Sequence, residues 1–249
     1  MAFGELGIAK VIAMNAPKHS KIVEPFADGG TIAMFPGMKK PKQHIVNIED
    51  ETIFNIMLFM QTYTAADKKN LKGRDWVASQ ETFDAALSIN ATDGTDLFYR
   101  FFYLKKFGVK AKDPEQEPTF DYLKLGHNML NILFTLPIAK TSLKKATITN
   151  DDPLSLIAGA AGTFTILTPK KPEHIESVES KLPIGGDFFY AKKSMSNEAI
   201  FEAVDKGDMI VSAFSASSIM MATMEVRTNY EHKSREKLKI LKSVENTPT

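Results

Sequence analysis

The segment Lys21-Ile22-Val23-Glu24-Pro25-Phe26-Ala27-Asp28-Gly29-Gly30-Thr31-Ile32-Ala33-Met34 decides the fold. β-Branched residues open it, a proline and paired glycines interrupt it, and an apolar run follows, which reads as strand, tight turn and helix. Glycines let the backbone of such a turn pass close to a ligand, and the amides that open the next helix suit a polar or anionic group. Downstream, His44-Ile45-Val46-Asn47-Ile48-Glu49 predicts a second strand. It ends in polar groups, where a doubly wound sheet places its ligand-facing side chains. Upstream, the apolar spacing from Leu6 to Met14 predicts a short helix that stops near Pro17.

From Glu51 the pattern changes to helical spacing, first in Ile53-Phe54-Asn55-Ile56-Met57-Leu58-Phe59-Met60 and later in Leu97-Phe98-Tyr99-Arg100-Phe101-Phe102-Tyr103-Leu104. Beyond the second of these helices, Asp113 to Pro118 is a polar loop bearing two prolines. Strand signals return at Ala146–Thr149, Gly162–Thr168 and Asp208–Phe214, with a capped helix at Ser196–Val204 between the last two. The methionine-rich run Ser217–Met224 reads as a packed helix, and the tail from His232 as a last strand or helix with a frayed end. Strands alternating with helices on both sides of a helical block predict an α/β sheet. The expected division is a core of 1–50 and 146–249 with a helical insertion at 51–145.

Composition narrows the chemistry. The 249 residues are 43% hydrophobic and 24% charged, an ordinary folded composition, and 31 Lys+Arg against 30 Asp+Glu leave no global pull toward nucleic acid or membrane. With no cysteine, thiol nucleophiles, disulfides and thiolate-bound metals are excluded. The five histidines, His19, His44, His127, His174 and His232, are too scattered for metal spacing, so no metal site is expected. No apolar stretch reaches the roughly 18 residues of a membrane span, and no basic-then-apolar leader opens the sequence, so a cytoplasmic location is expected.

The order of segments resembles the Dam-type DNA adenine methyltransferases, which methylate the exocyclic amine of adenine with S-adenosylmethionine. Val23-Glu24-Pro25-Phe26-Ala27-Asp28-Gly29-Gly30 is similar to the family's Glu-Pro-Phe-x-Gly-Gly-Gly methionine-binding turn. Gly4 to Ile12 resembles its entry helix, Ile45 to Glu51 its Asn-Asp-x-Asn segment, and Arg100 to Lys106 its Arg-Phe-x-Tyr-Leu-Asn-Arg segment. Asn150-Asp151-Asp152 falls where an Asp-Phe pair follows a strand, and Phe164 to Pro172 occupies the place of the catalytic Phe-x-Tyr-Leu-Asp-Pro-Pro-Tyr motif. The resemblance implies a Rossmann-like methyltransferase sheet whose helical insertion contributes to target recognition. It further implies cofactor positions at Pro25, Phe26, Asp28, Gly29, Gly30, Asn47 and Asp152.

The departures fall on the residues that carry the chemistry. The family's catalytic Asp is Thr168, Pro169 is retained, the second proline is Lys170, and the stacking ring is Lys171. A threonine cannot stabilise the charge that develops on an attacking amine as a carboxylate does, and lysine has no stacking face. Asn47 stands where the ribose or adenosine carboxylate is expected, Asp28 replaces the first glycine, and Glu5 replaces the entry-helix lysine. For Asp152 a loop or helix cap and an adenine contact are equally open. Lys170 and Lys171, like Lys105-Lys106, Lys144-Lys145 and Lys192-Lys193, read as solvated charges, with one phosphate-facing surface as the sharper alternative. The expected function is a degenerate methyltransferase acting as a binding or structural subunit, with a protein partner or a second copy, and with DNA as the other partner class. No cofactor is expected. An active but divergent enzyme would use S-adenosylmethionine, with Asp28, Asp151 or Asp152 supplying the lost carboxylate. A scaffold that kept the fold for shape is the third reading.

Overall fold

A computed structural model describes residues 9, 12–13, 20–35, 41–109, 116–157, 163–181, 187–192, 209–210 and 218–222. The chain divides into two compact units, one of Met1–Asp50 with Lys145–Thr249 and one of Glu51–Lys144. The expected features at Glu5, Pro17, Asp113 to Glu115, Ser196–Val204 and His232 onward lie outside the described residues.

The first unit is built on a seven-stranded sheet. Its strands are β1 (Lys21–Glu24), β2 (Gln43–Asn47), β5 (Ala146–Thr149), β6 (Thr163–Leu167), β7 (Asp187–Lys192), β8 (Met209–Ile210) and β9 (Ser218–Ala222), ordered β5-β2-β1-β6-β7-β9-β8. Five strands from β5 to β7 run parallel, and β9 runs antiparallel to both β7 and β8. This is an α/β unit. All five residues of β6 are buried, as a central parallel strand covered on both faces requires. The short helix α1 (Thr31–Met34) follows β1, and α7 (Pro172–Glu179), with proline in its first turn, follows β6. Phe26 packs with Ile157, Leu167, Val178, Phe188 and Tyr190, so the turn after β1 is rooted in the core. Burial and the neighbouring Glu179 carboxylate hold the Tyr190 hydroxyl far above its ordinary range, and it donates to Glu179 at 2.6 Å.

One sequence expectation is corrected by the sheet. The run Ser217–Met224 supplies strand β9 rather than a helix; methionine and alanine are good helix formers, but pairing along β7 overrides that local preference. A buried polar pair also interrupts the apolar pattern: His44 Nε2 lies 2.6 Å from Glu24 Oε1, one residue on β2 and one on β1.

The second unit contains α2 (Glu51–Thr62), α3 (Ala65–Lys72), α4 (Gln80–Leu87), α5 (Gly94–Phe107) and α6 (Thr135–Leu143), with a small hairpin of β3 (Gly108–Val109) and β4 (Thr119–Phe120). Thr64 and Asp67 form a reciprocal capping box on α3, while Ser79 and Asp93 cap α4 and α5. Tyr99, Tyr103 and Phe107 recur every four residues and are buried along one face of α5. The two tyrosine hydroxyls fix the loop before α4: Tyr99 donates to the Asp75 carbonyl and Tyr103 to the Val77 carbonyl, each at 2.7 Å.

Candidate functional site

The turns after β1 and β6 meet because these strands are paired in parallel, with Lys21 opposite Thr163 and Val23 opposite Thr165. They leave the carboxyl ends of the two central strands, where the strand order reverses direction and open α/β sheets bind ligands. The Thr168 hydroxyl donates to the Phe26 carbonyl at 3.4 Å, and Pro169 follows it into the turn. Between these turns and the end of β2 lies a cleft of about 350 Å³. Phe26, Ala27, Asp28, Ile48, Glu49, Asp50, Thr168, Lys170, Lys171 and His174 line it.

Gly29 and Gly30 take φ values of 108° and 65°. Gly30 starts α1 in the left-handed conformation. A side chain there is strained, so Gly30→Ala is expected to lower stability by about 1–2 kcal/mol in a denaturant titration. A loss under a few tenths of a kcal/mol would show that the turn tolerates a Cβ. The helix beyond this turn is a single turn, Thr31–Met34, over the apolar stretch that closes the strand, turn and helix unit read from the sequence.

The predicted site residues separate into two groups. Phe26, Asp28, Thr168, Lys170 and Lys171 come together in the cleft. Pro25, Gly29, Gly30, Pro169, Asn47 and Asp152 do not line it. Asn47 is fully buried, donating to the carbonyls of Pro25 and Asp151 at 3.0 and 2.9 Å and accepting from the Asp151 amide and the Thr149 hydroxyl at 2.7 and 2.8 Å. It ties together the segments that follow β1, β2 and β5, so the reading of Asn47 as a ligand-facing residue is replaced by a structural one. Asn150 extends the same tie by donating to the carbonyls of Ile48 and Glu49. Asp152 is a cap: its carboxylate accepts from the Leu154 amide at 3.1 Å at the start of the 3-10 turn Pro153–Leu156.

The segment after β2 offers the cleft two carboxylates, Glu49, the polar residue on which the predicted strand ends, and Asp50. Lys171 Nζ donates to Glu49 Oε1 at 2.9 Å, and His174 Nδ1 lies 3.6 Å from Glu49 Oε2. That lysine hydrogen bond, with the charge of Glu49, holds the Lys171 ammonium above its ordinary range. Lys170 donates to Asp28. The two lysines, read from sequence as solvated surface charges, are thus paired with carboxylates of the cleft. His174 sits beside Phe26, with ring centroids 5.3 Å apart.

In formal charge, Asp28, Glu49 and Asp50 on the lining face Lys170 and Lys171. The cleft therefore presents one more carboxylate than it has ammonium groups. It is a recess with Phe26 and His174 on its wall and charged side chains reaching into it. Thr168 gives it a hydroxyl at the turn after β6. Among the described residues, no group of three or more histidine, aspartate or glutamate side chains is arranged to hold a metal ion. No helix among the described residues is long and apolar enough to cross a membrane. No protein family and no curated protein matches the chain in sequence.

Proposed function

We propose that this protein is a catalytically degenerate relative of the Dam-type adenine methyltransferases that serves as a binding or structural subunit. The observation that carries the reading is the Thr168-Pro169-Lys170-Lys171 turn, seated beside Phe26 with both ammonium groups on carboxylates of the cleft. In a methyl-transferring site this turn would present an acceptor to the amine and a ring to the base. Here those positions hold a hydroxyl and a cation. The sheet supports the same descent. Counted along the first unit, its strands run third, second, first, fourth, fifth, seventh, sixth, with the seventh reversed, and the first five follow the doubly wound parallel order 3-2-1-4-5.

The divergent-enzyme alternative requires a substitute carboxylate near the turn. Of its three candidates, Asp28 lies in the cleft but is engaged by Lys170, and Asp152 caps a 3-10 turn. Asp151 is joined to Asn47 through its backbone. A role in binding a partner draws support from the second unit, where Tyr122, Leu123, Leu125, Phe134 and Ile138 are exposed.

A radiolabelled methyl-transfer assay with S-adenosylmethionine and adenine-containing duplex DNA is expected to show no incorporation above a no-protein control. Sustained incorporation into adenine would refute the proposal. A mass measurement in solution complements it by reporting whether the chain forms a defined oligomer.

A further inference from the structure

The cleft carboxylates are already occupied, and by groups of the chain itself. Lys170 and Lys171 are adjacent in sequence, yet they reach to different strands: one to Asp28 after β1, the other to Glu49 after β2. Their side chains therefore cross the cleft from the β6 side in two directions. Each pair is roughly half exposed, which has two consequences. The pairs add little to folding, because solvent screens them and ordering the lysines costs entropy. They are also open to exchange, since water and salt reach both partners.

The geometry points to an autoinhibitory latch: the ammonium groups of Lys170 and Lys171 act as internal cations that hold the carboxylates of Asp28 and Glu49, and a cationic ligand enters the cleft only by displacing them. This inference rests on reading the cleft as descended from a cofactor site. A tethered group competes at an effective concentration on the order of millimolar. A ligand that must open the latch has its affinity reduced by the fraction of molecules in the open state. A cation gains most from opening, because release of the lysines leaves Asp28, Glu49 and Asp50 facing it.

The test is calorimetric titration of the full chain with S-adenosylmethionine, whose sulfonium is the cationic probe. The double variant Lys170→Ala/Lys171→Ala is expected to bind at least about tenfold more tightly than the unmodified protein, as removal of a closed state populated above nine-tenths requires. Adding Asp28→Asn to the double variant should take back most of the gain. Lys145→Ala, which removes an exposed charge of the same unit outside the cleft, should leave affinity unchanged. Equal affinity in the unmodified and double-variant proteins, binding by neither, or a gain matched by Lys145→Ala would each overturn the latch. None of these three results restores methyl transfer, so the degenerate-enzyme reading would survive them. Methyl transfer by the unmodified protein would remove that reading and the latch together. Unchanged circular dichroism of the double variant shows that the comparison is made between folded proteins.

Discussion

Replacing Asn47 by alanine is expected to destabilise the protein by about 3–5 kcal/mol. The side chain is fully buried and makes four hydrogen bonds, two to carbonyls and two from donors. Truncation leaves the Pro25 and Asp151 carbonyls and the Asp151 amide without that partner in a place that water reaches poorly, at about 1–3 kcal/mol for each group that stays unsatisfied. The segments after β1, β2 and β5 lose their common tie at the same time. Asn47→Asp is expected to be no milder, although it would reinstate the carboxylate that the family resemblance places there. Both carbonyls would then face carboxylate oxygens, and a charge would be buried without a cation beside it. Chemical denaturation of both variants checks this. A loss below about 1 kcal/mol for Asn47→Ala would mean that the three segments are held by something else.

The second large effect is expected at Trp76, the single tryptophan of the chain. It is buried, stands edge-on to Tyr99 with centroids 4.9 Å apart, and its indole donates to the Leu71 carbonyl at 2.7 Å. Trp76→Ala removes this packing and the hydrogen bond together, and about 3–5 kcal/mol of stability should go with them. Trp76→Phe keeps most of the apolar volume and should lose less than half as much. Thermal unfolding followed by circular dichroism reports both variants without relying on the deleted fluorophore. If the two lose equal stability, the indole hydrogen bond and not the packed volume dominates the site.

Local patterns made much of the framework legible. The β-branched run at Lys21–Val23 became β1, the paired glycines became two consecutive positive-φ residues, and Gly162–Thr168 enclosed β6. The change from alternating to helical spacing at Glu51 coincides with the start of the second compact unit. These features depend on local spacing and backbone preference, which a sequence displays directly. The features that escaped depended on partners distant along the chain. Nothing near Ser218–Ala222 announces that it will pair with β7, and its methionines argue for the other element. Asn47 and Glu49 lie two residues apart with similar polarity, yet one is fixed inward by Asp151, 104 positions away, while the other faces Lys171. At the end of a strand, which of two nearby polar residues meets the ligand side is decided by loops that arrive from elsewhere. Motif position alone therefore singled out Asn47, whereas of the two it is Glu49 that lines the cleft.

The Asn47 and Asn150 ties separate the shape of the cleft from its reactivity. Asn47 and Asn150 bond to backbone groups of the segments around the cleft and are not among its lining residues, while the ion pairs that line it are roughly half exposed and contribute little to folding. Such a recess is a mount whose fittings can be exchanged. Side chains at Asp28, Glu49, Lys170 and Lys171 could be redesigned for a new ligand while the bracket behind them stayed as it is.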